Sequence, residues 1–202
     1  MRLYVESNFV LELAFEQERH GVCDQILGYA EDGSLSLLLP AYCLAEPYET
    51  LGRRHRTRQR LQQELQTELT QLRRSARYVK TVQQVDLAAS LFAISAEEDR
   101  ARLEATARRL VRAAKLIPIT PQVIELGYDL QADLDMSAQD SFVLASVLRH
   151  LQAEQTDTCY FVTRDIRDFD DPDVIELLGA HGCDLLTDFG PMIRLIRARL
   201  EH

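Results

Sequence analysis

MRLYVESNFVLEL, residues 1–13, is the stretch that decides how this chain folds. Its residues 3–5 form a short apolar run of strand-forming types, and Glu6 stands where that run stops. Ser7 and Asn8 are helix-capping types, and apolar residues then recur at helical spacing. The stretch therefore predicts a strand, an acidic residue and a helix in succession. Residues just past the carboxyl end of a strand line the crevice of an open α/β sheet, so Glu6 is a candidate site residue.

The composition of the chain is that of a single soluble domain. Its 202 residues fit one domain, with 46% hydrophobic and 27% charged residues. No apolar run approaches the roughly 20 residues that a membrane-spanning helix needs. The four cysteines are widely spaced without a CxxC pair, which is typical of buried thiols rather than of disulfides or a zinc site. We therefore expect one domain over residues 1–202, a cytoplasmic location and no membrane partner.

The charge of the chain is unevenly distributed. The net charge of −9 by itself argues against a nucleic-acid partner. Residues 53–80, here called the basic block, nevertheless hold nine Lys or Arg against two Glu, a balance of +7 on a body of −16. Its arginines are candidate contacts for RNA phosphates, above all Arg53, Arg54, Arg56 and Arg58. A solvated helix face paired with the acidic body, and a surface for an antitoxin or a second copy of the chain, are the alternatives.

Apolar runs alternate with helical patterns along the rest of the chain. The runs at 35–39, 159–163 and 183–186 predict further strands, of which CYFVT at 159–163 is the strongest. The brief run at 117–119 is interpreted as a connector. Strands that alternate with helices predict an α/β fold with a parallel sheet beneath helical layers.

The sequence pattern predicts helices in the middle of the chain. No glycine occurs between Gly52 and Gly127, and leucines recur on one helix face from 61 to 72. We predict two or three helices here, as a helical insertion over residues 52–116. The leucine face needs burial, so we expect one side of the insertion to pack and the other to be free and basic.

Acidic residues follow the predicted strands or open a helix. Because the carboxyl ends of parallel strands meet at one edge of a sheet, such residues can converge there. Hard oxygen ligands in a cluster suit Mg²⁺ or Mn²⁺, and one or two such ions could orient a water or hydroxide against a phosphodiester. The candidates are Glu6 after the first strand, Glu46 after the second, Asp140 at a helix start, Asp165 after the third, and Asp168 close behind it.

Each acid also has an ordinary structural explanation. Asp140 stands where the helix dipole favours any acid, Glu46 could simply begin a helix, and Asp165 could belong to a solvated loop. Glu6 is the hardest to explain in this way, because a strand-end carboxylate in an apolar stretch is costly to bury unless it has a partner. The residues alone leave the metal site and the structural alternative open.

Four segments of the sequence resemble the motifs of the PIN-domain nucleases, a family that includes the toxin ribonucleases of type II toxin–antitoxin pairs. The segments are YVESN at 4–8, AYCLAE at 41–46, SAQDSFVLASVL at 137–148 and FVTRDIRDF at 161–169. The last is the most specific motif. The resemblance covers residues 1–51 and about 117–190, and it implies a PIN-like α/β/α sandwich with a central parallel sheet. The helical insertion is longer than the usual connection in the family.

The resemblance implies a metal-dependent endoribonuclease that uses Mg²⁺ or Mn²⁺ to cleave RNA, with an antitoxin as a candidate partner. The implied catalytic and metal-binding residues are Glu6, Glu46, Asp140 and Asp165, with Asp168 as a further metal ligand. The family normally has Asp at the position of Glu6, and the extra methylene moves the carboxylate outward in a reaction sensitive to about 1 Å.

Two other functions are compatible with parts of the pattern. One is a non-catalytic PIN-like module that binds RNA or a protein through its helical insertion. The other is a receiver-like signalling domain, which also gathers acids at strand ends. The receiver-like domain fits poorly, because the adjacent acidic pair after the first strand and the late lysine expected of it are missing.

Overall fold

A computed structural model describes residues 1–154 and 158–200. Within these residues, five parallel strands form one sheet in the order β3–β2–β1–β4–β5. The four predicted strands share this sheet, so that prediction is confirmed. The strands are β1 (Arg2–Val5), β2 (Ser36–Pro40), β3 (Lys115–Ile117), β4 (Cys159–Val162) and β5 (Cys183–Leu186).

Helices cover both faces of the sheet. The right-handed crossovers expected between parallel strands place α1, α2 and α4 on one face and α5, α6 and α8 on the other, and the contacts between helices agree. The last helix, α9, packs against α2 and so lies on the first face. The predicted α/β/α sandwich is therefore confirmed. Among the described residues the helices are α1 (Ser7–Ala14), α2 (His20–Glu31), α3 (Glu46–Leu72), α4 (Val79–Ala113), α5 (Pro121–Leu134), α6 (Ala138–Ala153), α7 (Ile166–Phe169), α8 (Pro172–Gly179) and α9 (Phe189–Leu200).

The interpretation of 117–119 as a connector holds for residues 118 and 119, which lie between β3 and α5, but was wrong for Ile117. Lys115–Ile117 pairs in parallel with the end of β2 and forms the edge strand β3. Three residues are too few to show a period, and an edge strand has no need of a continuous apolar run. The last helix of the insertion ends at Ala113, so residues 115 and 116 belong to the sheet.

The core forms around the three inner strands, β1, β2 and β4, which are buried on both faces as expected of a parallel sheet under helices. Tyr4 and Phe161 are fully buried, and each such side chain contributes about 1.5–3 kcal/mol to the free energy of unfolding. Phe161 of β4 packs against Phe169 of α7 with ring centroids 5.2 Å apart, which fixes the short helix after β4 onto the sheet. The four cysteines are buried free thiols, as predicted.

The segment predicted as an insertion forms an antiparallel helical hairpin of α3 and α4. The helices have 27 and 35 residues, about 40 and 50 Å at 1.5 Å per residue. Despite this length, no helix of the described chain is long and apolar enough to cross a membrane. The leucine face is only partly buried, since Leu69 is covered whereas Leu61 and Leu72 are exposed.

Polar contacts hold the two helices of the hairpin together. Arg58 of α3 donates to Asp99 of α4 at 2.7 Å, and the Asp99 side chain is only 8% exposed. Arg102 donates to the other oxygen of Asp99 at 2.6 Å. Arg58 is thus committed to a structural ion pair within the hairpin.

Candidate metal centre

The candidate centre lies where the strand order of the sheet reverses. From β1 the chain leads to β2 and β3 on one side, whereas β4 leads to β5 on the other. The connections after β1 and β4 diverge at this point and leave a crevice beyond the carboxyl ends of the two strands. Glu6 follows β1 directly and Asp165 follows β4, so the topology carries both residues to the same crevice.

Glu6 lies at the buried base of this crevice. It is the N-cap of α1, its Oε2 accepts a hydrogen bond from the backbone N–H of Asn8 at 2.7 Å, and it is 5% exposed. Its other oxygen, Oε1, is buried without a hydrogen-bond donor among the described residues. Burial raises the pKa of Glu6 to about 7, although the Asn8 and Thr163 groups beside it act in the opposite direction. A buried carboxylate oxygen that lacks a donor is costly, and a nearby cation would offset that cost.

Three aspartates bring their carboxylates together at the rim of the crevice. One oxygen each of Asp140, Asp165 and Asp168 lies within 4.8 Å of the other two, and all three residues are half-buried. Asp140 is in the first turn of α6, where the Ser137 hydroxyl accepts its backbone N–H at 3.1 Å and donates to its carboxylate. Asp165 caps α7, and its own backbone N–H is bound by the Thr163 hydroxyl at 2.8 Å. Local capping interactions therefore orient the carboxylates of Asp140 and Asp165.

Like charges make this cluster unfavourable without a cation. Burial, together with the smaller effects of the charges of Asp168, Asp165 and Glu46, raises the pKa of Asp140 to about 6 against the lowering effect of the Ser137 hydroxyl. Glu46, half-buried at the first position of α3, also raises the pKa of Glu6. Glu46 is thus close enough to both groups to affect their charge.

The structure places the predicted residues in two groups. Asp140, Asp165 and Asp168 form the cluster, whereas Glu6 and Glu46 lie beside it and are not part of any described group with ligand atoms within 4.8 Å. The set consists of carboxylate oxygens alone, which suits a hard divalent cation such as Mg²⁺ or Mn²⁺. That all five acids serve one centre stays a prediction.

The four arginines of the predicted RNA contact have different surroundings. Arg53 and Arg56 are exposed, and Arg53 donates to the Thr50 hydroxyl at 3.1 Å. Arg54 lies over the ring of Phe15 at 4.5 Å. Together with the ion pair of Arg58, these contacts leave Arg53 and Arg56 as the exposed pair.

Two features of the site escaped the sequence analysis. Tyr42 lies in the 3₁₀ turn Ala41–Leu44 before α3. Burial raises the pKa of its hydroxyl, and the nearby charges of Glu49, Glu46 and Asp140 raise it as well. The AYCLAE motif drew attention only to its glutamate. A single 3₁₀ turn is too short to give a periodic pattern, so the sequence could not show that this tyrosine lies near the carboxylates.

The second feature is a buried network around Glu12 of α1. Glu12 is 2% exposed, accepts the backbone N–H of Arg19 at 2.7 Å and accepts the guanidinium of Arg164. Arg164 directly precedes Asp165, so the network holds the segment that carries an aspartate of the cluster. No spacing in the sequence links residues 152 positions apart.

The sequence profile of one family, described as PIN domain, matches residues 3–169. This range contains every acidic residue of the candidate centre, strands β2 to β4 and all of β1 except its first residue. No curated protein and no solved structure matches the chain. The match spans most of the 202 residues and agrees with the parallel sheet and the carboxylates at its reversal point. The chain belongs to the PIN domain family.

Proposed function

We propose that this protein is an endoribonuclease that hydrolyses RNA phosphodiester bonds with the help of Mg²⁺ or Mn²⁺. PIN domains are generally nucleases, and PIN nucleases typically use divalent metals. The observation that carries the proposal is the cluster of Asp140, Asp165 and Asp168 at the reversal point of the sheet. The unpaired oxygen of buried Glu6 supports it, since it too calls for a positive partner.

The residues of the crevice would have different roles in the reaction. Asp140, Asp165 and Asp168 would hold the cation, which when bound supplies Lewis-acid polarisation of the phosphate and a more acidic water. Glu46 and Glu6 add two carboxylates beside the cluster, and one of them would orient the attacking water or accept its proton. Glu6 suits proton transfer near neutral pH because burial places its pKa at about 7.

Cleavage of a mixed-sequence single-stranded RNA tests the proposal. We expect cleavage with Mn²⁺ or Mg²⁺ and none in EDTA. Cleavage that continues in EDTA would contradict the metal-dependent mechanism. RNA binding without cleavage under any of these conditions would favour the non-catalytic module.

The resemblance to toxin ribonucleases extends the proposal to a protein partner. An antitoxin or a second copy of the chain would find exposed apolar side chains on the hairpin at Leu61, Leu72 and Leu91. The hairpin is therefore the surface that we propose for such a partner.

Metal binding should weaken as the pH falls. Burial raises the pKa of Glu6 to about 7 and that of Asp140 to about 6, so the metal-free protein retains protons on these groups below those values. A cation must displace those protons, and each displaced proton lowers the apparent affinity by about tenfold per pH unit. Calorimetric titration with Mn²⁺ between pH 8 and pH 5.5, in buffers of different ionisation enthalpy, should show falling affinity and proton release. An affinity that is constant over this range would contradict the assignment.

Arg53 and Arg56 should carry more of the RNA affinity than the other arginines named above. We expect the variant with both replaced by Ala to bind RNA more weakly and to have a log–log salt dependence flatter by about 0.7 per lost phosphate contact. Fluorescence anisotropy over a salt series measures both effects. Arg194→Ala is the control, because it removes an arginine that is exposed on α9, and it should bind RNA like the wild type. An unchanged slope in the double variant would show that these arginines are solvated.

A further inference from the structure

A groove on the helical hairpin, outside the carboxylate centre, has the features of a nucleic-acid track. Tyr48 of α3 borders two adjoining open cavities between α3 and α4, of about 570 and 380 Å³. Tyr48 is 43% exposed, and Val111, on the opposite wall, is 55% exposed. The groove thus presents an accessible aromatic ring beside an apolar wall.

Cationic side chains surround this ring. Two glutamates, Glu97 and Glu104, also line the groove, and Glu104 is paired with an arginine on its own helix at 3.5 Å. Within the described residues, Arg56 and Arg108 make no ion pair. The four arginines of the groove are Arg56, Arg100, Arg108 and Arg112.

Regular helical spacing aligns these groups into two facing stripes. Tyr48, Gly52 and Arg56 follow one another at intervals of four on α3, and residues 100, 104, 108 and 112 do the same on α4. Gly52 leaves open space between the ring and Arg56, since a Cβ placed there would contact only the Arg56 guanidinium, at 3.5 Å. A ligand strand could therefore contact the ring and the guanidinium groups in succession.

We propose that this groove binds a segment of single-stranded RNA that flanks the cleaved bond, with a base stacked on Tyr48 and phosphates bound by Arg56 and Arg108. The inference rests on the proposed function and names a second contact for its substrate. A positive groove combined with an aromatic platform is the usual way in which proteins hold single strands irrespective of sequence. Guanidinium groups without an ion pair among the described residues, beside an exposed aromatic ring, favour RNA over an acidic protein helix, because RNA supplies both phosphates for the cations and a base that can stack on Tyr48.

The position of Tyr48 sets the length of RNA that can reach both sites. Tyr48 lies two residues after Glu46, and two residues rotate a helix by about 200°, so the ring faces away from the carboxylate side of α3. A strand that reaches both must cross the first turn of α3, which is about 10 Å wide. A strand bound at the carboxylates must therefore extend beyond the cleaved bond across this width before it reaches Tyr48. Tyr48 should therefore matter for octanucleotides and not for dinucleotides.

The test measures RNA binding in EDTA, where the proposed cleavage does not interfere. The probe is an eight-nucleotide RNA that carries 2-aminopurine at successive positions, since stacking on an aromatic ring quenches its fluorescence. Tyr48→Ala should weaken binding by about tenfold and abolish the quench. Tyr48→Phe keeps the ring and should behave like the wild type. Tyr128→Ala removes a tyrosine that is 61% exposed on α5 and should have no effect.

The outcomes separate this inference from the proposed activity. If the wild type does not bind the RNA, or if Tyr48→Ala changes neither the binding nor the quench, RNA binding by the groove is overturned. Metal-dependent cleavage by the wild type would then still support the proposed nuclease activity. Binding that depends on Tyr48, in a protein that cleaves nothing with Mn²⁺, supports the groove and removes the activity. Tyr48-dependent binding of an acidic helical peptide, without any binding of RNA, would overturn the assignment to RNA.

Discussion

Asp140→Asn is expected to lower the rate of metal-dependent RNA cleavage by about 10³-fold, because the substitution removes a charged ligand of a cation that supplies several kcal/mol of transition-state stabilisation. Asn has nearly the same size and keeps an oxygen, but a neutral amide is a weaker ligand for a hard cation. The rate of cleavage of an end-labelled RNA at saturating Mn²⁺ measures the effect.

Asp173→Asn provides the matched control for this experiment. Asp173 occupies the first turn of α8 as Asp140 occupies the first turn of α6, but it is exposed and does not belong to the carboxylate cluster. Each substitution removes one acid from a helix start, which costs about 0.3–1 kcal/mol of stability. Only Asp140→Asn should lose activity. Equal rates in the two variants would remove Asp140 from the mechanism.

Glu12→Ala is expected to lower the free energy of unfolding by about 3 kcal/mol, near the lower end for breaking a buried ion pair. The change leaves the backbone N–H of Arg19 without its acceptor and removes the buried partner of Arg164. The lower end applies because the Arg164 side chain is still 34% exposed. Urea denaturation followed by circular dichroism measures the difference.

Glu18→Ala is the control for the Glu12 network. Glu18 also pairs with Arg164, at 3.4 Å, but its side chain is 82% exposed. An exposed pair of this kind contributes about 0–1 kcal/mol. If the two variants lose the same small amount of stability, the network around Glu12 does not stabilise the fold as argued. Glu12 also binds Arg164, which directly precedes Asp165, so Glu12→Ala should weaken Mn²⁺ binding in the folded fraction.

The strands were predictable from the sequence where burial requires a run of apolar residues. β1, β2 and β4 are covered on both faces and therefore appear as continuous apolar runs bounded by turns or polar residues. β5 lies at an edge with Asp184 exposed, and only its apolar residues 183, 185 and 186 marked it as a strand. β3 has three residues, begins with an exposed lysine and lies at the edge, so it left no comparable mark. The helices of the insertion were predictable because strong helix breakers are absent from this part of the chain.

The three aspartates of the cluster were among the candidates that the sequence indicated, whereas their separation from Glu6 and Glu46 was not predictable. Strand ends located Glu6 and Asp165, a helix start located Asp140, and the RDIRDF run supplied Asp168. Which of these carboxylates approach within 4.8 Å depends on the angle at which α3 and α6 leave the sheet, and no local pattern encodes that angle.

Long-range polar pairs were not predictable at all. Arg58 was interpreted as an RNA contact because it belongs to a basic run, yet its partner Asp99 lies 41 residues away on the other helix. Tyr42 and Tyr48 were overlooked for a related reason. Whether a tyrosine lines a crevice or a groove depends on the packing of neighbouring elements, which composition does not reveal.

Direct titration of the metal-free protein with Mn²⁺ at pH 7.5, followed by electron paramagnetic resonance of the free ion, tests the central claim most directly. The account predicts saturable binding by the wild type and by Asp173→Asn, and loss of that binding in the variant with Asp140→Asn and Asp165→Asn combined. A folded wild-type protein that leaves all Mn²⁺ free at millimolar concentration, or a double variant that binds it equally well, would contradict the account.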